Sequence, residues 1–188
     1  MLAISATACS KHKTESELAN EALQAGLHAH AAGRLSEAET DYREVLVHDP
    51  SNKFAYYNLG LIAQTNGDQA AAENDYRQTL SIDPDFVPAI YNLAIIRTAA
   101  GDTSEAIQLY QHAVEVEPGN ASAHLNLGFL LIDAGDKKSG QAELATAVQL
   151  DATLADRIPG NASGPGGVQP DSGGSGGEGK PGATGSSG

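Results

Sequence analysis

The sequence predicts an all-α fold, a right-handed superhelical solenoid of four helix-turn-helix repeats, and three observations carry that prediction. Gly33, Gly67, Gly101 and Gly135 recur every 34 residues, and Pro50, Pro84 and Pro118 keep the same period. A fixed period in this range signals a stack of like supersecondary units. On both sides of each glycine, apolar residues return at helical spacing, as in Tyr56, Leu59 and Ala63 before Gly67 and Ala72, Tyr76 and Leu80 after it. Each unit therefore reads as two short helices joined at a glycine, with approximate bounds 19–52, 53–86, 87–120 and 121–154.

The parts follow in chain order. Residues 1–18 hold a small apolar stretch, LAISATA, ending at Cys9, and then a polar spacer carrying Lys11, Lys13 and Glu15. From 19 to 152 the units run without interruption. The glycine in each can take the positive φ that ends the first helix, and Asp68, Asp102 and Asp136 just after it can cap the second. Proline then ends the second helix, because it has no amide hydrogen and clashes with the preceding turn. Small residues at Gly26, Gly60, Ala94 and Gly128, facing Ala38, Ala72 and Ala106, permit close helix approach, while Tyr42, Tyr76 and Tyr110 fill the space between units. No unit can bury its apolar face alone, so stacking supplies the core, and a small constant rotation per unit leaves a concave surface formed by the first helices. After Leu150 only DATLADRIP precedes the glycines, enough for about one turn, which predicts thin cover over Leu127, Leu131, Leu144 and Val148. Residues 159–188, rich in Gly, Ser and Pro, have almost nothing to bury and read as a disordered tail.

Composition narrows the function. The 188 residues carry 24 acids against 11 bases, a formal charge of -13, and 19 of the acids with seven of the bases lie within 19–152. Nucleic-acid binding depends on clustered Lys and Arg, so no nucleic-acid partner is expected. The acids concentrate on second-helix positions such as Glu37, Glu39, Asp41, Glu73 and Asp75, which reads either as a solvated outer face or as a field that draws in a basic partner. A single cysteine excludes an intramolecular disulfide and a thiolate zinc cluster. His28 and His30 sit two apart on a helix and so point to different faces. With no HExxH, phosphate loop or nucleophile elbow, no catalytic site, metal or cofactor is expected. Asn120-Ala-Ser122 and Asn161-Ala-Ser163 match glycan acceptors by spacing, which has meaning only in a glycosylating host.

On these residues the units resemble tetratricopeptide repeats (TPR). The second carries Tyr56, Leu59, Gly60, Ala72, Tyr76 and Pro84, and the third Ile90, Leu93, Ala94, Ala106, Tyr110 and Pro118. The first keeps Gly26, Ala38, Tyr42 and Pro50; the fourth keeps Leu127 and Gly128 but has Gly140, Leu144 and Ala152 at the remaining positions. The resemblance implies a ligand groove lined by Leu23, Gln24 and Leu27, then Tyr57, Asn58 and Leu61, then Tyr91, Asn92 and Ile95, then Leu125, Asn126 and Phe129. Asn58, Asn92 and Asn126 are similar to the asparagine ladder of the repeat domain in O-linked N-acetylglucosamine transferases. An amide can pair with both N–H and C=O of an extended peptide, or bond its own neighbouring helices. Tyr57, Tyr91 and Phe129 either pack on a ligand or fill inter-repeat space. The family's dicarboxylate clamp needs Lys and Arg where this chain has Leu23, Tyr57, Tyr91 and neutral amides, and Arg97 either pairs with a neighbouring acid or touches ligand.

The segment ATAC, with Ala8 before Cys9 and Ser10 after it, resembles the lipobox of bacterial lipoproteins, although only seven apolar residues precede the cysteine. That resemblance implies lipidation at Cys9 and membrane anchoring at the bacterial cell envelope; the alternative is a cytoplasmic protein with an incidental thiol. The whole sequence is expected to encode a non-enzymatic adaptor binding an extended peptide of a protein partner. The alternative is an anchored scaffold or self-assembling spacer of the envelope, with weak self-association through the last repeat.

Overall fold

The computed structural model describes residues 13–159. Among them lie eight α-helices, paired in order: α1 Glu15–Ala31 with α2 Leu35–His48, α3 Lys53–Thr65 with α4 Gln69–Ile82, α5 Val87–Ala99 with α6 Thr103–Val116, and α7 Ala121–Asp133 with α8 Lys137–Leu150. The compact helical unit ends at Leu154; of the residues beyond, 155–159 are described, and Ile158 N donates to Ala155 O there. A 3-10 helix runs from Ala152 to Arg157. The tail from 160 and the segment around Cys9 lie outside the described residues.

Local chemistry accounts for each boundary. Gly33, Gly67, Gly101 and Gly135 all take positive φ, between 73° and 96°. At the second of these turns Gly67 N donates to Gln64 O and Asp68 N to Ala63 O, closing the end of α3. Asp68, Asp102 and Asp136 accept from Ala71 N, Glu105 N and Ser139 N and start the next helix, whereas Arg34 holds that place before α2 and gives no side-chain cap. Two boundaries differ from the sequence expectation. Thr14 and Glu17 form a capping box that starts α1 at Glu15, inside the stretch read as a spacer. At the other end, α8 stops at Leu150 without a proline because Asp151 turns the chain by accepting from Thr153 N.

The core runs along the stack between helix pairs. Tyr42, Tyr76 and Tyr110 are wholly buried. Tyr76 packs with Ala72 of its own pair and with Ala89, Leu93 and Ile96 of the next, and Tyr110 bridges Ile90 and Ala94 to Ala123 and Leu127 in the same way. The glycines permit this: a Cβ at Gly60 would sit 2.6 Å from the Tyr76 ring. The thin cover expected over the last pair is corrected at Leu127 and Leu144, which are buried, whereas Leu131 and Val148 are partly exposed.

Candidate functional site

The first helix of each pair, α1, α3, α5 and α7, carries the residues singled out in the sequence, and two depressions form where successive first helices meet. One, of about 310 Å³, is lined by Tyr57 of α3, Val87, Pro88, Tyr91 and Asn92 of α5, and Glu117, Asn120 and Ser122 at the entry to α7. The other, of about 410 Å³, is lined by Ile95, Thr98 and Ala99 of α5, Tyr110 of α6, and Asn126, Phe129, Leu130 and Asp133 of α7. Six of the expected ligand residues, Tyr57, Tyr91, Asn92, Ile95, Asn126 and Phe129, are thus gathered into two neighbouring recesses. Gln24 is exposed on α1, and Asn58 and Leu61 are partly buried on α3; none of the three lines either recess.

Two of the three asparagines are tied to the core rather than standing clear of it. Asn126 Nδ2 donates to Tyr91 Oη at 3.1 Å and to Tyr110 Oη at 3.2 Å, and Asn92 Nδ2 reaches Tyr76 Oη at 3.4 Å. Each amide therefore reaches back to the core tyrosine of the preceding pair. Asn58 breaks the pattern, donating to Phe54 O one turn back on its own helix, while Tyr42 Oη lies 3.4 Å from His30 Nδ1. The consequence for recognition is specific. Asn126 spends both amide hydrogens on tyrosines and keeps only its carbonyl, so it can hold a peptide N–H, whereas Asn92 spends one and keeps a donor beside its carbonyl.

Of the two roles that the sequence leaves open for the aromatic residues, Tyr57 and Tyr91 take the inter-repeat one. Tyr57 packs at 5.2 Å against Phe86 and 5.9 Å against Tyr76, and Tyr91 packs edge-on against Tyr110 at 5.7 Å, while both also face a recess. Burial pushes the Tyr110 phenol up to about 12 and raises Tyr57 and Tyr76 as well. Tyr57, Tyr76 and Tyr110 are therefore neutral hydrogen-bonding groups at physiological pH.

Arg97 resolves toward structure. Its guanidinium lies 3.1 Å from Glu73, 2.6 Å from Asp102 and 2.7 Å from Glu105, and Arg77 shares two of those acids at 2.9 and 2.7 Å. Lys53 is likewise engaged, 2.5 Å from Asp83 and 5.2 Å from the ring centres of Phe54 and Phe86. Among the described residues no group of three or more His, Cys, Asp or Glu is arranged to hold a metal ion. No helix among them is long and apolar enough to cross a membrane.

The recesses also contain residues that the sequence pattern does not single out. Thr98, Ala99 and Asp133 lie three or four residues beyond Ile95 and Phe129, on the same helix faces, so the i+3 and i+4 rule is the signal that finds them. Glu117 and Asn120 stand in a connection, where Glu117 keeps the acid-before-proline position of Asp49 and Asp83, a signal for the turn and not for a recess.

Solved structures share this architecture. MamA superposes with a TM-score of 0.65 at 20% identity, over 73% of this chain and 81% of that one. YrrB, described as a TPR protein with an unusual peptide-binding site, gives 0.62 at 18% identity, with 76% of each chain covered. The first TPR of Spaghetti (RPAP3), solved with the HSP90 peptide SRMEEVD, gives 0.60 at 22% identity over 65% of this chain and 97% of that one. At such identities the likeness is one of fold. Among curated proteins none matches the sequence. Residues 15–155, nearly all of the helical array, match the family of the Cilia and flagella-associated protein 70 middle TPR-like domain, and the chain belongs to that family as a tetratricopeptide repeat protein.

Proposed function

We propose that this chain is a non-enzymatic adaptor whose concave groove holds an extended segment of a partner protein. The observation that carries the reading is the gathering of Tyr57, Tyr91 and Asn92, and of Ile95, Asn126 and Phe129, around two open recesses on successive first helices. Apolar floors with a few fixed polar groups are the usual chemistry of a recognition site. The carbonyls of Asn92 and Asn126 supply acceptors for the ligand backbone, and Tyr57, Tyr91 and Phe129 supply contact area. Two fold neighbours have peptide ligands or sites: YrrB has an unusual peptide-binding site, and the first TPR of Spaghetti holds an HSP90 peptide. An acidic tail like SRMEEVD does not suit this groove, because no Lys or Arg lines either recess.

Site-specific photocrosslinking tests the reading. A crosslinking residue at Phe129, in the lining of the larger recess, should trap a partner segment in host extracts. The same residue at Val47, 68% exposed on α2, should not. Equal trapping at both positions defeats the groove.

A second reading, the self-assembling spacer, rests on Ile82, Val116 and Leu150, which end α4, α6 and α8 at the same repeat position and are 37%, 39% and 45% exposed. Size measured over a dilution series separates the two, because only assembly depends on concentration. Anchoring at the bacterial envelope through a lipidated Cys9 is a proposal on the sequence alone. Intact mass of the membrane-fraction protein tests it, since lipidation with loss of residues 1–8 changes the mass and an unmodified cytoplasmic chain does not.

A further inference from the structure

We propose that the groove selects by charge, taking segments that pair an apolar anchor with Lys or Arg; this rests on the groove reading above. The lining of the two recesses holds two acidic side chains and no Lys, Arg or His: Asp133 in the larger recess and Glu117 in the smaller. Both are exposed. Asp133 has no hydrogen-bond or ion-pair partner among the described residues, and Glu117 receives one side-chain bond, from Asn120 Nδ2 at 2.9 Å. Lys137 and Lys138, four and five residues after Asp133, open α8 and line neither recess, while Arg97 and Arg77 are committed to Glu73 and Glu105, and Lys53 to Asp83.

The occupant follows from complementarity. Ile95, Ala99, Phe129 and Leu130 offer an apolar seat with a carboxylate on its rim. An extended segment points residues i and i+2 to the same side, about 7 Å apart. An anchor such as Leu or Phe can fill the seat while a cation two residues away reaches Asp133. Glu117 offers a second carboxylate at the neighbouring recess. The formal charge of -13 acts in the same direction at longer range, hastening encounter with a basic segment and repelling an acidic one.

The test is selection of a randomised 12-residue displayed peptide library on the full chain, with winners synthesised and measured by fluorescence anisotropy. Winners should pair Leu, Ile or Phe with Lys or Arg and be poor in Asp and Glu. Their affinity should fall about tenfold with Asp133→Asn and Glu117→Gln combined, and the salt dependence should flatten. Both replaced residues are exposed, so helical content should not change. If winners are neutral or acidic, or bind the double variant as well as the parent, the charge assignment is overturned. The groove reading survives that result if Phe129→Ala still weakens the winners. If no enriched peptide responds to Phe129→Ala, both readings fall.

Discussion

The second and fourth helix pairs fill the same internal space with different residues. In the second, a wholly buried Tyr76 lies over Gly60, and a Cβ added at Gly60 would meet only that ring. In the fourth, Leu144 stands in for the tyrosine and Gly140 for the alanine. There a Cβ at Gly140 would meet backbone as well as a side chain, 2.6 Å from Gly128 O, 2.6 Å from Ile132 Cγ1 and 3.0 Å from Ile132 N. The smaller side chain is thus accompanied by closer backbones. The tyrosine does something that the leucine cannot: Tyr76 Oη donates to Gln64 Oε1 at 2.8 Å and lies 3.4 Å from Asn92 Nδ2, joining the core of one pair to the groove amide of the next. Among the described residues no such amide follows the fourth pair, and there the hydroxyl is dispensable.

Truncation should break the comparison most severely. Tyr76→Ala opens a cavity between two pairs and should cost about 3–5 kcal/mol, seen as a lower midpoint in urea unfolding followed by circular dichroism. Gly140→Ala comes next at about 1–3 kcal/mol, because two of the three nearest obstacles are backbone atoms that cannot swing aside. Gly60→Ala should cost less, since a ring can shift, and Ala94 already occupies the equivalent place beneath Tyr110. A larger loss at Gly60 than at Gly140 would refute the idea that backbone approach sets the fourth pair apart. Tyr76→Phe sharpens the point at smaller scale. It should cost about 1 kcal/mol, whereas Leu144 has no hydroxyl bond to lose.

The helix pairs were legible in the sequence because punctuation acts locally. Gly67 needs its positive φ, and Asp68 caps the helix that follows, whatever the rest of the molecule does. Local signals also marked both displaced boundaries. Thr14 and Glu17 have capping-box spacing, and the turn made by Asp151 is made by Asp49 and Asp83, which accept from Ser51 N and Asp85 N in front of Pro50 and Pro84 as well. Proline is the louder signal at these exits, but aspartate is the one all three share. What the sequence could not disclose was partner choice at a distance. Nothing local tells Asn126 to bond Tyr91 and Tyr110 while Asn58 turns back to Phe54, since both lie in near-identical contexts, and the outcome depends on which hydroxyl the stacking brings within reach.

The smallest expected effect separates the same two pairs by charge. Asp75 and Glu143 occupy the same place in their units. Glu143 accepts a close contact from His124 Nδ1 at 2.6 Å. Asp75 is half-buried in a depression shared with Glu39, Arg43 and Asp68, and burial pushes its carboxyl from 3.8 up to about 6. The folded state therefore holds this proton more tightly than the unfolded chain. The associated stability is complete below pH 3.8 and is lost as pH rises through about 6. Asp75→Asn should then stabilise the protein at pH 7 by about 1 kcal/mol, a figure reduced to allow for solvent screening of a half-exposed group. It should change little at pH 4. Glu143→Gln should give no gain at pH 7, because it removes the partner of a buried histidine rather than an uncompensated charge. Thermal midpoints of the parent and both variants at the two pH values decide the matter: a gain from Asp75→Asn of equal size at pH 4 and pH 7 would show that shape, not ionisation, distinguishes the position.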